Sequence, residues 1–321
     1  MPSKGKHPLK PTAKQGPEAA GRQDAPPAPQ WPSYTGTSQF VGTSQNGRVT
    51  VYVDSTLGQQ GLQNARDLVN DADRIVAFND AMFGTNQGSV SVIIFALGGQ
   101  TDGTGGADHM GCDYAAGAAI EVCAAFGSPP RVSGLFEAEL SECNMNNNLC
   151  GESTGEALSR WCAMVASNNA LTDFVTAPTW YQDGMPDFVN KTDATDRNAD
   201  STGCGMAFIS WLLSKGYALH AIAQTMVSLG DAGTLAQLYA GLTGEAAAKA
   251  WTAFKAAVQA HGTVADDDPF GGMSAAHVAV TGVHAAPRTG GLRARPQGEA
   301  ATAARCRPKS HRLLPTGAKY D

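Results

Sequence analysis

The residues best placed to do chemistry lie in Val132-Ser-Gly-Leu-Phe-Glu-Ala-Glu-Leu-Ser-Glu-Cys143. At helical spacing Leu135, Phe136, Leu140 and Cys143 form an apolar stripe. Glu139 falls in the middle of it, Glu142 on its flank, and Glu137 points away. A core-facing ionised carboxylate is costly unless it is paired, hydrogen-bonded or bound to a metal. Burial would also raise its pKa toward a range useful to a general base. The competing reading is a structural glutamate satisfied by an arginine or by backbone donors, and spacing alone does not choose between the two.

The elements around this helix follow from periodicity. Val49, Val51 and Val53 alternate as in a strand, and Ser89-Val-Ser-Val-Ile-Ile-Phe-Ala-Leu97 reads as a second, more fully buried strand. Between them, Leu62, Ala65, Leu68, Val69, Ala72, Ile75 and Val76 repeat at helical spacing. A glycine-rich loop over 98–117 precedes a third strand at 118–124. After Pro129-Pro130 the pattern is helical throughout, at roughly 131–145, 154–168, 179–190, 203–215, 218–229, 232–241 and 244–261. The expected fold is α+β, a small N-terminal sheet with one crossover helix and then an all-helical C-terminal half.

Strand, helix, strand, loop, strand and then a carboxylate-bearing helix is an order that resembles the zincin-like metallopeptidases. Ala138-Glu139-Leu140-Ser141-Glu142 looks like their H-E-x-x-H motif with both histidines replaced. Pro178-Thr-Trp180-Tyr-Gln-Asp183-Gly184-Met-Pro-Asp187-Phe188 is similar to the P-x-W-x-x-E-G-x-A-x-Y segment of the gluzincin branch, with Pro186 as a departure. The resemblance implies that Glu139 stands at the general base, Ala138 and Glu142 at the two zinc-binding histidines, and Asp183 at the third ligand. Ala138 offers no donor, and Glu142 and Asp183 offer oxygen, which suits calcium, magnesium or manganese better than zinc. A standard zinc centre is therefore not expected, while a divalent metal remains open. His109, in the glycine-rich loop and alone among histidines between His7 and His220, is the candidate for a recruited ligand. Two functions follow. One is a metallopeptidase-like hydrolase acting on a peptide or protein at an altered metal site. The other is a catalytically inactive relative serving as a secreted binding or structural protein.

Rival motifs are weaker. Gly151-Glu-Ser153-Thr-Gly155 matches a nucleophile elbow but has no strand before it. Ser153-Thr-Gly-Glu156 reads instead as a capping box, with Glu156 and Arg160 as an i,i+4 pair. No phosphate-binding loop is present.

Composition bounds the rest. The 321 residues carry a net charge of −6. Residues 1–36 hold five bases and two acids and residues 272–321 hold eight and two, which leaves 10 bases against 25 acids between them, or −15. Such a body should repel nucleic acid and anionic membranes, and no apolar run is long enough for a membrane span. The expected division is a disordered tail at 1–36, a zincin-like domain at 37–266 and a disordered basic tail at 267–321. Six body cysteines, Cys112, Cys123, Cys143, Cys150, Cys162 and Cys204, suggest disulfides and an extracytoplasmic location, with Cys143–Cys150 the expected pair. No signal peptide is visible, so free thiols in the cytoplasm are the alternative.

Overall fold

The two sequence periods become a sheet and a set of helices that share one central helix. The structure is a computed structural model that describes residues 26–85, 88–97, 101, 105–110, 118–274 and 310–313. Its strands are β1 (Ser38–Thr43), β2 (Val49–Asp54), β3 (Val90–Phe95), β4 (Ala107–Met110), β5 (Ala119–Cys123) and β6 (Ser310–Leu313), in the order β1-β2-β3-β5-β4-β6. The central strands β2, β3 and β5 are parallel, and β1, β4 and β6 each pair antiparallel with a neighbour. Val51, Val92, Ile93, Ile94, Ile120 and Val122 are fully buried, as expected of parallel strands covered on both faces.

Three of these strands escaped the sequence reading. β1 is mostly half-exposed and bulges between Phe40 and Gly42. β4 is four residues, Ala-Asp-His-Met, inside the glycine-rich stretch, too short and polar to show alternation. β6 lies in the segment assigned to the C-terminal tail, so the C-terminal half is not all-helical. The remainder of that tail, 275–309 and 314–321, and of the N-terminal one, 1–25, lies outside the described residues, as does Cys112.

The helices are α1 (Gly58–Phe83), α2 (Pro129–Asn144), α3 (Ser153–Ser167), α4 (Ala177–Gln182), α5 (Ala199–Ser214), α6 (Leu219–Leu229), α7 (Leu235–Thr243) and α8 (Ala250–His261). Helix α4 stops eight residues before the expected 190. Gly184 and Met185 take left-handed φ values of 86° and 58°, and Pro186 cannot continue the helix. The expected capping box at Ser153 is not formed: Ser153 is already helical, and its N–H is bonded to the Asp193 carbonyl. Among the described residues no strand runs between Asn144 and Ser153, so there is no nucleophile elbow; Gly155 is instead needed for close packing, a Cβ there lying 2.1 Å from the Leu149 carbonyl oxygen.

Helix α2 is buried along its length from Arg131 to Asn144. It packs on β4 and β5, on α1 and on α3. A one-sided stripe is thus the wrong picture, and Glu137, expected to point away, is also buried, on the α1 side with Asn79. One apolar cluster joins the sheet, α1 and α2. A second, centred on Trp161, Trp180, Phe208, Trp211 and Phe254, holds the later helices together.

Both ends of the folded body lie beyond the boundaries read from composition. Residues 26–36 are anchored by Trp31, edge-on to Tyr52, and by Ser33 and Tyr34, whose N–H groups donate to buried Glu121. At the other end Asp267 accepts from the N–H groups of Thr176 and Ala177 at 2.9 and 2.7 Å and from Arg160 Nη2 at 2.8 Å. Arg160 is 5% exposed, so removing Asp267 strands a buried guanidinium. Asp267→Ala should cost about 3–5 kcal/mol in urea denaturation, and ending the chain after Asp266 should cost at least as much.

Candidate functional site

Strand β4 pairs antiparallel with β5, placing Asp108 opposite Glu121 and His109 opposite Ile120. Alternation then turns the His109 ring onto α2. Its Nε2 lies 3.0 Å from Glu142 Oε2 and 3.9 Å from Glu139 Oε2. Ser159 Oγ, on α3, donates to Glu142 Oε1 at 3.2 Å. His109 is fully buried, Glu139 is 1% and Glu142 5% exposed, and Glu139 Oε1 has no hydrogen-bond partner. The structure therefore gathers three of the four residues singled out from sequence. It does not gather Asp183, which is exposed at the end of α4 beside Asp200.

The site also draws in residues that spacing did not nominate. Glu156, read as a cap, is buried on α3 and close enough to add to the acidic field of Glu139. Cys143 is a buried cysteine outside any disulfide, interacting with the His109 ring. Cys150 is half-buried after a loop turned by left-handed Asn146, Asn147 and Leu149. The three ligand atoms of His109, Glu142 and Cys150 all lie within 4.8 Å of one another. The expected Cys143–Cys150 bridge is not formed. Cys150 is disulfide-bonded, while Cys123, Cys143, Cys162 and Cys204 are free, so its partner is none of these. Only the separation of Cys143 and Cys150 by six residues pointed to either; their divergence is a property of the loop backbone.

Electrostatics follow from burying several carboxylates with one imidazole and one guanidinium. Burial above all pushes Glu139 well above the usual carboxylate range; Glu142, Asp108 and Glu156 push the same way and His109 opposes them. Burial likewise raises Glu156, with Glu142 adding to it and Arg160 opposing. His109 would be pulled down by burial, but Cys143, Glu142 and Glu139 outweigh that and hold its charged form well above the ordinary value. Both shifts run the same way, favouring the protonated forms of His109 and Glu139.

Glu137, on the other side of α2, shows the consequence for stability. Burial lifts its pKa to about 8 despite hydrogen bonds from Asn79 and Ser141. Its folded value exceeds its unfolded one, so the stabilisation is complete below the unfolded value near 4.5 and is lost as pH rises toward 8. The unfolding free energy from urea denaturation should fall between pH 5 and pH 8 with a slope approaching about 1.4 kcal/mol per pH unit for this group. Glu137→Gln should flatten that part of the profile; an unchanged slope would mean Glu137 is ionised in the fold.

No helix among the described residues is long and apolar enough to cross a membrane. No family model, curated protein or solved structure matches the chain.

Proposed function

We propose that this chain is a catalytically silent relative of the zincin-like peptidases, which in an oxidising compartment acts by binding a peptide or protein rather than by cleaving one. The observation that carries the proposal is the buried contact of His109 Nε2 with Glu142 Oε2 at 3.0 Å. The imidazole and the carboxylate that a metal centre would need are satisfied by each other. The remaining inherited positions fit zinc poorly: Ala138 has no donor atom and Asp183 is exposed beside Asp200; the nearby Cys150 is tied up in a disulfide. One imidazole and hard carboxylates are left where zinc prefers nitrogen and sulfur. The order of strands and helices and the seating of Glu139 between β4 and α3 support descent from an active scaffold. The disulfide at Cys150 supports an extracytoplasmic location.

A second reading is favoured by Glu139 Oε1, a buried carboxylate oxygen without a partner. In it the chain is a hydrolase with an altered centre, Glu139 being the base and Glu142 and His109 holding a divalent ion. Elemental analysis and peptide hydrolysis separate the two. The silent reading expects no stoichiometric metal in the oxidised protein, no turnover, and an intact fold for Glu139→Gln. That substitution should raise stability at alkaline pH by about 1 kcal/mol, because a neutral amide avoids the desolvation of a charge. About one metal per chain, with hydrolysis abolished by Glu139→Gln, would overturn it.

A further inference from the structure

We infer that reduction of the disulfide at Cys150 converts the His109–Glu142 pair into a binding site for a borderline divalent cation of the zinc and cobalt class, with His109, Glu142 and Cys150 as its protein ligands. The inference rests on the reading above that the oxidised cluster is closed by its own ion pair, and it adds the condition under which the cluster opens.

The three ligand atoms lie within 4.8 Å of one another. Bonds of about 2.0–2.3 Å in a tetrahedral centre place donor atoms about 3.3–3.8 Å apart. His109 and Glu142, at 3.0 Å, are slightly closer than that and would part by a few tenths of an ångström, while the sulfur, within 4.8 Å of both, needs at most about 1 Å of adjustment. That adjustment falls on Cys150, which follows a non-helical loop, while His109 and Glu142 are fixed in β4 and α2. Nitrogen, oxygen and sulfur together form a donor set that zinc and cobalt accept and that calcium or magnesium do not. An independent observation points to a missing cation. Glu139 is 1% exposed, its Oε2 lies 3.9 Å from His109 Nε2, and its Oε1 has no partner. That bare oxygen could accept a hydrogen bond from a water on an ion held by the three ligands.

The chemistry balances with a small dithiol as reductant. Two electrons and two protons pass to the bridge, the S–S bond breaks, Cys150 and its partner become thiols, and the dithiol closes to its cyclic disulfide. On metal binding the Cys150 thiol and the His109 imidazolium each release a proton to the buffer as the S–metal and N–metal bonds form.

Cobalt(II) titration of the full chain tests the inference, because a thiolate ligand produces a charge-transfer absorption that oxygen and nitrogen ligands do not. The oxidised protein should lack this band. The reduced protein should develop it to one equivalent and release protons in step. Cys150→Ser should abolish it and weaken cobalt binding at least about 100-fold, more than loss of an outer-shell partner costs. Both this variant and the reduced protein lack the bridge, so the comparison isolates the thiolate. Cys143→Ser, the control for the sulfur that interacts with the His109 ring, should keep the band. His109→Gln should weaken binding, with far-ultraviolet circular dichroism reporting whether its fold survives. Absence of the band in the reduced protein, its persistence in Cys150→Ser, or its loss in Cys143→Ser would overturn the inference. Metal in the oxidised protein as purified would instead overturn the silent reading.

Discussion

Burying α2 on every side obliges three glutamates, at 137, 139 and 142, to find partners or protons away from water. A helix covered by a sheet, α1 and α3 would ordinarily be apolar all round. Here two of the three are met by hydrogen-bonding or ionic partners and the third only in part. Asn79 on α1 and Ser141 within α2 donate to Glu137. His109 on β4 and Ser159 on α3 meet Glu142, and Glu139 keeps one oxygen bare. The helix cannot shift without breaking several of these contacts together, so its polar residues fix how sheet and helices meet.

The same constraint explains the outlying anchors. Arg160 on α3 stands 4.0 Å from Glu156 and cannot neutralise the acids alone, because Asp267 and Thr176 also hold it. Asp267 in turn closes the N-terminus of α4. Arg131, at the start of α2, pairs with Asp173, lies over the Phe174 ring and donates to the Gly105 carbonyl just before β4. One buried arginine thus ties α2 to the strand that presents His109, and another ties α3 to the end of the body.

A buried cluster with more acids than bases has three ways to lower its energy: take up protons, form ion pairs, or bind a cation. Which it uses depends on the donor atoms within reach. An imidazole against a carboxylate favours a shared proton, and adding a thiolate changes the preference toward a transition-type ion. The identity of the third donor therefore matters more to this site than its total charge.

How far residues could be read without coordinates depended on the range of the interaction that sets each one. The central strands and the longer helices were legible because valine alternation and 3.6-residue repeats are local. Burial of Glu139 was legible for the same reason, being a matter of angle around one helix. Proximity of His109 to Glu142 was only a candidate, since it depends on β4, a four-residue strand whose place is set by pairing with β5. The exclusion of Asp183, the burial of Glu137 and Glu156, and the separate fates of Cys143 and Cys150 were not legible. Each is decided by packing between elements far apart in the chain, or by left-handed turns at Gly184, Met185 and Asn146–Leu149 that reorient everything after them. Local composition determined which segments are helix or strand; only tertiary packing decided which carboxylate meets the buried imidazole, because that is settled by distances of a few ångströms between different elements.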